Sequence, residues 1–569
     1  MERGDYSPDN ENGAEQVEPS KMQKIVKLIF PRELPDAESL REKYPKRELP
    51  EGAMVTRLAP SPTGFMHLGG LYMGLISERF AHQSNGVFYL RIEDTDKKRE
   101  VEGAKKIIID TLHNFGLDPD EGESFDGGEI GEYGPYSQSE RKEIYQIFIK
   151  KLLEQGDAYP CFCTEEELNQ MRKMQEDLKI RPGYYGPWAK WRDADSQRVI
   201  EELQSNTPFV IRLKSEGNYN ETFVHHDLIK GDLRLPENDI DVVIMKSDGL
   251  PTYHLAHAVD DDLMQTSHVL RGDEWISSVP LHRELFDKLG FKHPRYAHVA
   301  PINKIDESGN KRKLSKRKDP EANVLFYNQK GYPEVAVIEY LMNLANSGFE
   351  DWRRENPDRS YKEFQFTFEK LPTSAGPLFS EAKLNDIAKD MIARMNPEEV
   401  YNKVLEWSKA HDRKFYEKLN EGKEYWISVF AIERGGQNPR KDISCWSEVS
   451  SNFNYFDTTE ELNPAWESFS SVLNGSEIRT ILEHYSAIFN INDSKDEWFS
   501  KIKQIAIDYN FAPDIKTYKS GKDKYRGHVG EIGQIIRCAI TGRKQSPDLH
   551  EVMRVLGDYE CKKRLTPTA

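Results

Sequence analysis

The stretch RLAPSPTGFMHLGG, Arg57–Gly70, concentrates residue types that can bind an anion. It places a cation, two prolines, a histidine and three glycines between a short apolar run and the helix-like segment Leu71–Ala81. This order predicts a strand, a tight turn and the start of a helix. Such a junction directs backbone N–H groups and the positive end of a helix at the space above the strand, so phosphate is the first candidate ligand.

Two charged segments are further candidates for chemistry. RIEDTD, Arg91–Asp96, could hold an ammonium group or a magnesium ion, but it could equally be a solvated strand end with capping carboxylates. KRKLSKRK, residues 311–318, is basic except for Leu314 and Ser315. Such a run is often only a solvated or nuclear-import-like segment, so its meaning depends on where it lies relative to the first motif.

The elements around these residues follow a β-α-β-α order. We expect a strand at Met54–Leu58, a helix at Leu71–Ala81, a strand at Val87–Ile92 and a helix at Glu102–Asn114. Short links between such elements are typical of a parallel sheet with crossover helices. Ligands bind beyond the carboxyl ends of such strands, so Arg57 and RIEDTD should face one crevice.

The β-α rhythm is interrupted by an insertion and then resumes. Residues 136–238 contain a CFC element and an aromatic loop, and an apolar strand follows at Ile240–Met245. Helical patterns dominate after Gly331, ending with a helix that we expect Ser546 to cap. The expected divisions are an N-terminal extension at 1–53, the first half of the sheet domain at 54–135, its second half at 239–310, a basic loop with helices at 311–395, and a helical region at 396–569.

Composition limits the classes of protein. The 569 residues predict roughly three or four domains. Charged residues make up 31% and the mean hydropathy is −0.74, which is typical of a soluble protein with no membrane span. The first twenty residues are acidic and match neither a signal nor a transit peptide, and five scattered cysteines do not form a disulfide framework, so we expect a cytoplasmic protein. We expect a disordered tail and then a partly ordered arm that chemistry does not need.

The net charge of −17 argues against nucleic acid as a partner, but a local patch could still bind it. Such a patch is interleaved with tyrosines near the C-terminus: Lys516, Lys519, Lys522, Lys524 and Arg526. A solvated loop explains the cluster as well as phosphate contact does.

The ordered set of motifs resembles the class I aminoacyl-tRNA synthetases. The set comprises RLAPSPTGFMHLGG, RIEDTD, GPYSQSER, PTYHLAHAVDD, VLRGDEW and KLSKR, and it is most similar to bacterial-type glutamyl-tRNA synthetases. Gly70 stands where a second histidine is often found in the class motif. The resemblance implies an α/β fold: a Rossmann-like catalytic domain with an inserted α+β domain that binds the acceptor end, followed by an all-helical anticodon-binding region.

The resemblance also assigns residues to roles. Adenylate formation needs positioning and charge neutralisation rather than a covalent nucleophile. The catalytic residues implied are His67, Lys313 and Lys316. The glutamate-binding residues implied are Arg57, Ala59, Ser61, Glu93, Tyr253, His257 and Arg271, with Arg57 on the side-chain carboxylate, Arg271 on the α-carboxylate and Glu93 on the ammonium group. The ATP-binding residues implied are Thr63, Gly64, His67, Gly69, Glu274 and Lys316.

Partners and cofactors follow from the same resemblance. We expect ATP and Mg²⁺, L-glutamate and tRNA(Glu), no protein-bound metal and a monomer. Cys161 and Cys163 look like half of a zinc site, but no other Cys or His lies between Thr164 and Val224, so we expect aromatic packing instead of zinc. Charging of tRNA(Gln) as well, or a non-catalytic tRNA-binding paralogue, remain open alternatives.

Overall fold

The computed structural model describes residues 20–373, 375–459, 462, 464, 466 and 473–566. The acidic tail expected at the N-terminus falls in 1–19, outside the described residues. The chain divides into two compact units. The first comprises the described parts of 1–324 and 341–379, and the second comprises Leu325–Tyr340 and the described residues after 380.

Two parallel strand pairs form the centre of the first unit. Strand β1 (Val55–Leu58) pairs with β2 (Val87–Leu90), and the helix α3 (Leu68–Gln83) connects them. Strand β10 (His268–Gly272) pairs in the same way with β11 (Arg295–Val299). Ser267 N donates to Val55 O at 3.0 Å and so brings the two pairs together. The carboxyl ends of β1 and β10 therefore open at one edge.

Helix α3 begins three residues before the position expected from hydrophobicity. His67 caps it, because its Nδ1 accepts the Gly69 N–H at 2.8 Å. The same cap recurs in the second unit at helix α21 (Val529–Thr541), where His528 Nδ1 accepts the Gly530 N–H at 2.9 Å. Glycine at the third position of each His-x-Gly segment lets the ring lie close to the backbone, since an added Cβ would meet Nδ1 within 3.0 Å.

The insertion carries its own antiparallel sheet. Strands β5 (Ala158–Cys161), β6 (Val210–Leu213) and β9 (Val243–Met245) form this sheet, and β7 (Thr222–Asp227) with β8 (Gly231–Pro236) forms a separate hairpin. The expectation that the run Ile240–Met245 resumes the parallel sheet is therefore wrong for β9. An apolar run identifies a buried strand but does not reveal which neighbour it pairs with.

Shorter elements complete the first unit. Residues 20–53 are not a loose arm, because Ile25, Val26, Leu40 and Tyr44 are buried in the hydrophobic core.

The remaining strands are β3 (Gly122–Glu123), β4 (Glu129–Ile130), β12 (Asn303–Ile305) and β13 (Lys311–Lys313). The remaining helices are α1 (Lys21–Ile29), α2 (Ser39–Lys43), α4 (Ala104–Asn114), α5 (Lys142–Gln155), α6 (Glu165–Asp177), α7 (Ser196–Gln204), α8 (Tyr253–Leu263), α9 (Val279–Leu289) and α12 (Gly348–Glu355).

The second unit is helical, and its described residues contain no assigned strand. Its helices besides α21 are α10 (Leu325–Lys330), α13 (Glu381–Arg394), α14 (Pro397–His411), α15 (Arg413–Glu421), α16 (Lys423–Ala431), α17 (Val449–Asn452), α18 (Gly475–Ile488), α19 (Lys495–Asp508), α20 (Ile515–Ser520), α22 (Leu549–Leu556) and α23 (Asp558–Leu565). Helix α11 (Glu334–Ala345) contains the boundary at Tyr340.

The cap of α22 differs from the expectation. Asp548 caps this helix and Ser546 does not, because the Ser546 hydroxyl is engaged by Arg537. No described helix combines the length and the apolar content needed to span a lipid bilayer.

Candidate active site

A cavity of about 460 Å³ opens at the carboxyl ends of β1 and β10. Residues of HLGG and of KLSKR both reach this cavity, although the two motifs lie far apart in the sequence. Ten of the residues assigned to the site line it: Arg57, Ala59, Ser61, His67, Gly69, Glu93, Tyr253, Arg271, Glu274 and Lys313. The acidic, basic and glycine-rich motifs therefore meet in one place.

Four assigned residues do not line this cavity. His257 is fully buried behind Tyr253, with the two rings stacked at 5.9 Å between centroids. Thr63 and Gly64 form the turn after β1, and Gly64 needs its residue type because its φ is +119°. Lys316 lies beside this turn and donates to the Phe65 carbonyl. Thr63, Gly64 and Lys316 border the site, whereas His257 does not contact the cavity directly.

The base of the cavity is a buried network of charges around Asp261. Arg91 Nη1 donates to Asp261 Oδ1 at 2.6 Å, and Arg57 Nε lies 3.3 Å from the same oxygen. Burial favours a neutral carboxyl, but Arg57 and Arg91 outweigh it and hold the pKa of Asp261 well below its usual value. The carboxylate thus fixes Arg57 at the end of β1 while leaving its far side to the cavity.

Glu93 brings a negative charge to the same wall. Its Oε1 accepts from Arg91 Nη2 at 3.1 Å. Burial raises the pKa of Glu93 above its ordinary value, even though Arg91 and Arg57 lower it in part. Asp94 and Asp96 are used elsewhere, since Asp94 accepts from Ser139 and Asp96 pairs with Arg99 at 2.6 Å. Of the acids in RIEDTD, Glu93 is the one that faces the cavity.

Arg271 supplies positive charge on the opposite side. Its Nε donates to His298 Nε2 at 3.0 Å, its Nη1 lies 3.1 Å from His282 Nδ1, and its Nη2 donates to the Trp275 carbonyl at 3.2 Å. Burial lowers the pKa of both histidines, so they are neutral acceptors. None of these three partners is a carboxylate. Within the described chain, the hydrogen bonds of Arg271 therefore leave its charge without a carboxylate partner.

His67 presents one defined donor. Because Nδ1 accepts from the Gly69 N–H, the proton of the neutral ring lies on Nε2. Burial, together with Lys316 and Lys313, lowers the pKa of His67, while a hydrogen bond with the backbone of Leu314 opposes this. His67 is therefore a neutral ring at the start of α3, and its Nε2–H would exchange the Leu314 backbone for a phosphate oxygen when an anion binds.

The basic loop is ordered against the site. Leu314 is 2% exposed and anchors it, while Asp319 accepts two hydrogen bonds from Arg312 at 2.6 and 2.7 Å. Lys313 pairs with Glu274 at 2.9 Å, and both side chains are about half exposed. Lys316 reaches the turn at Phe65. HLGG (His67–Gly70) and KLSKR (Lys313–Arg317) thus contribute residues to the same cavity.

Several site residues escaped the sequence reasoning. Asp261 and Arg91 lie within the motifs PTYHLAHAVDD and RIEDTD, but the resemblance gives them no role, and it gives none to Asp227, His282 or His298. One signal was available for Asp261, because Tyr253, His257 and Asp261 are spaced four apart and so share a face of α8. Asp227 and His298 lie 71 residues apart and no local pattern joins them.

Two clusters could suggest a metal. Cys161 and Cys163 lie 3.4 and 3.5 Å from the hydroxyl of Tyr184, inside an aromatic cluster that includes Phe162 and Trp191. His225, Asp227 and His298 have potential ligand atoms within 4.8 Å of one another. However, Arg271 donates to His298 Nε2, so a neutral His298 must keep its proton on Nδ1, the atom that faces Asp227. The latter cluster is better explained as a hydrogen-bonded chain than as a cation site.

The second unit has a separate polar cavity of about 330 Å³. Arg440, Asp442 and Arg543 line it together with the aromatic rings of Phe453 and Tyr455. Arg440 Nε lies 3.2 Å from Asp442 Oδ1, and Arg440 Nη1 has no hydrogen-bond partner in the described chain. Phe453 and Tyr455 are 1% and 0% exposed, so they form the floor of the cavity and offer no face for stacking.

Comparison with known proteins agrees with this arrangement. Residues 53–357 match the family model "tRNA synthetases class I (E and Q), catalytic domain", and residues 523–568 match "Anticodon binding domain". A glutamate–tRNA ligase of Clostridium perfringens is 47% identical over 543 residues, covering 95% of this chain and 99% of that protein. One of Sorangium cellulosum is 45% identical, covering 93% and 97%.

Solved structures give the same result. A glutamate–tRNA ligase of Elizabethkingia meningosepticum, crystallised in complex with its amino acid, superposes with a TM-score of 0.71 at 26% identity, covering 90% of this chain and 98% of that one. The expected fold class, an α/β synthetase domain followed by a helical region, is confirmed. Matches of this extent show that the chain belongs to the glutamate–tRNA ligase family of class I aminoacyl-tRNA synthetases.

Proposed function

We propose that this chain ligates L-glutamate to the 3′ end of tRNA(Glu) through a glutamyl-adenylate. The observation that carries the proposal is the charge pattern of the cavity. Arg271 reaches it without a carboxylate partner in the described chain, and Arg57 and Glu93 face it from the other wall. Two cationic groups and one anionic group match the two carboxylates and the ammonium group of glutamate.

Each contact has a physical reason. Arg271 would hold the α-carboxylate, Arg57 the side-chain carboxylate and Glu93 the ammonium group. Each charge-assisted hydrogen bond of this kind contributes about 1.5–3 kcal/mol, so losing either arginine should be severe. Ala59 and Ser61 border the same cavity, and Tyr253 covers it. His257 supports Tyr253 from behind rather than touching the amino acid.

The first reaction step needs no nucleophile from the protein. One oxygen of the α-carboxylate attacks the α-phosphorus of ATP, the new P–O bond forms, and the bond to the β-phosphate oxygen breaks to release pyrophosphate. The His67 Nε2–H can donate to a phosphate oxygen, while Lys316 and Lys313 neutralise the leaving group. Thr63, Gly64, Gly69 and Glu274 would border the nucleotide.

Mg²⁺ would enter with ATP. Its chemistry is to neutralise and align phosphate oxygens. Among the described residues that line the cavity the acids are Glu93 and Glu274, and Glu274 is paired with Lys313. This donor set fits an ion held mainly by phosphate oxygens and waters rather than by a protein cage.

The second step transfers the glutamyl group to the 2′-OH of the terminal adenosine. The insertion at 136–238 would hold the acceptor end, and the helical region at 396–569 would bind the anticodon. Exposed lysines of that region, Lys516, Lys519, Lys522 and Lys524, support tRNA binding there. The enzyme would act in the cytoplasm as a monomer.

Pyrophosphate exchange tests the proposal. The purified chain should exchange labelled pyrophosphate into ATP when glutamate and tRNA(Glu) are present, and aspartate or glutamine should not replace glutamate. No exchange would instead favour a non-catalytic tRNA-binding paralogue. Aminoacylation of purified tRNA(Glu) and tRNA(Gln) in parallel then distinguishes an enzyme that charges one tRNA from one that charges both.

A further inference from the structure

We propose that Asp227 and His298 form a positioning dyad that aims Arg271 at the α-carboxylate of the amino acid. The inference rests on the proposed function, since it concerns the same cavity. Neither residue lines the cavity. Each would act through Arg271, so they are positioning residues.

The dyad is a continuous chain of hydrogen bonds in the protein interior. Asp227 Oδ2 lies 2.6 Å from His298 Nδ1, and Arg271 Nε donates to His298 Nε2 at 3.0 Å. The side chains of Asp227 and His298 are fully buried. The ring of Tyr296 stacks on His298 and lies 4.7 Å from the guanidinium carbon of Arg271, which restricts sideways movement.

Asp227 is itself held rigidly. Its Oδ1 accepts the N–H groups of Ile229 and Lys230 at 2.9 and 2.8 Å, and its Oδ2 also accepts the His298 N–H at 3.1 Å. Every one of these partners is a donor. Asp227 is therefore required as an ionised carboxylate, which accepts on both oxygens.

This geometry fixes the tautomer of His298. An ionised Asp227 accepts a hydrogen bond from Nδ1–H, so the lone pair of the neutral ring lies on Nε2 and faces Arg271. The opposite tautomer would set an N–H against the N–H of Arg271 and push the guanidinium aside. The carboxylate thus decides the direction of Arg271 from two side chains away, in the way that outer groups orient ligating histidines.

The dyad also joins the insertion to the amino-acid site. Asp227 ends β7 of the hairpin, whereas His298 lies on β11 and Arg271 on β10 of the parallel sheet. Leu228 N donates to Tyr296 O at 2.9 Å and ties the hairpin to β11. The hairpin of the inserted domain consequently contributes the anchor for a glutamate-binding residue.

The isosteric variant Asp227→Asn tests the tautomer. The asparagine NH₂ group must face either the backbone N–H groups of Ile229 and Lys230 or the ring of His298. The backbone N–H groups cannot become acceptors, so the NH₂ group faces His298. The imidazole can accept from it by moving its own proton to Nε2. We expect the KM for glutamate to rise by about 10–100-fold while the KM for ATP changes by less than about threefold. Equal changes in both constants would contradict a positioning role.

A second His–Asp pair, which is exposed and lies within the hairpin, provides the matched control. His226 Nδ1 lies 2.8 Å from Asp232 Oδ1, and these side chains are 70% and 72% exposed. Asp232→Asn makes the same chemical change without a link to Arg271, so both KM values should stay at the wild-type level. A rise in the glutamate KM of this control equal to that of Asp227→Asn would overturn the proposal.

Coupling is measured with His298→Gln. The glutamine carbonyl can still accept from Arg271 Nε, so we expect a smaller rise in the glutamate KM than with Asp227→Asn. Because Asp227 acts through His298, adding Asp227→Asn to His298→Gln should cost little more. Fully additive losses would show that Asp227 acts independently and would refute the dyad.

A spectroscopic readout separates this proposal from the proposed function. The ¹⁵N shifts of the His298 ring should report a proton on Nδ1 in the wild-type protein and on Nε2 in Asp227→Asn, with the fold checked by circular dichroism. A wild-type protein that shows this tautomer but no pyrophosphate exchange would reject the function and keep the dyad. A wild-type Nε2–H tautomer would reject the dyad.

Discussion

At the scale of single residues, the site is controlled by which groups carry charge before a ligand binds. Burial lowers the pKa of His225 and His254 to about 4 and that of His257 to about 3, so these rings stay neutral in the ordinary range. Glu93 is different, because burial raises its pKa above its ordinary value although Arg91 and Arg57 oppose this.

Glutamate binding should weaken as the pH falls, because of Glu93. The ammonium group favours the ionised carboxylate, so protonation of Glu93 in the free protein opposes binding. Calorimetric affinity for glutamate, measured from about pH 8 to about pH 5, should decline through the raised pKa. Glu93→Gln should bind weakly at every pH, and a wild-type affinity that is flat over this range would contradict the prediction.

Lys316→Ala should slow adenylate formation while leaving tRNA binding intact. Lys316 reaches the turn beside His67, and burial lowers its pKa, which is consistent with a confined ammonium group. Losing one donor that stabilises developing charge costs about 10²–10³ in rate. Single-turnover adenylate formation measures the effect. Lys318→Ala, an exposed lysine in the same loop, is the control and should behave as wild type.

At the scale of elements, the sequence predicts those parts whose signals are local. The strand, turn and helix around Arg57–Gly70 are confirmed, because glycine and proline chemistry and apolar runs specify them within a few residues. The early start of α3 was missed because a histidine cap is not a standard signal. The pairing of β9 with β6, the Asp227–His298 contact and the packing of residues 20–53 all depend on distant partners that no local pattern names.

The segment that follows α2 should contribute to stability through Arg47. Its guanidinium makes two hydrogen bonds to Glu121, at 2.6 and 2.8 Å, and lies 3.8 Å from the ring of Tyr133. The two charged side chains are 6% and 14% exposed. Arg47→Ala leaves a buried carboxylate without its partner, so urea unfolding should show a loss of about 3–5 kcal/mol.

A neighbouring arginine is the control for this effect. Arg32 lies 3.6 Å from Glu143, and the two side chains are 84% and 53% exposed. Arg32→Ala should therefore cost no more than about 1 kcal/mol. If Arg47→Ala were equally mild, residues 20–53 would be an accessory to the catalytic unit rather than part of its core.

At the scale of the whole molecule, a net charge of −17 must coexist with a polyanionic partner. The basic cluster identified in the sequence lies on α20 and the turn after it, and Lys516, Lys519, Lys522 and Lys524 are exposed. Lys524 and Arg526 lie within the segment that matches the anticodon-binding family, residues 523–568, and the other three lysines lie just before it. The positive charge of this cluster can therefore attract tRNA even though the net charge of the chain is negative.

Replacing Lys519, Lys522 and Lys524 together with alanine should weaken tRNA binding and its salt dependence. Each lost phosphate contact lowers the slope of log K against log salt by about 0.7–0.9, so the slope should fall by about 2. Lys21, Lys24 and Lys27 of α1, replaced together, make the same change in net charge as a control. Equal effects of the two triple variants would mean that only total charge matters.

The histidine caps of α3 and α21 have an evolutionary consequence. Capping alone fixes the tautomer of the ring and leaves an N–H group beside the positive end of a helix, as His528 does without any part in the proposed catalysis. If His67 first served only as a helix cap, the chain already carried an oriented N–H donor for an anion. What remained to be acquired was a basic loop across from it, so the distinctive class motif could have started as a folding signal and been recruited for chemistry.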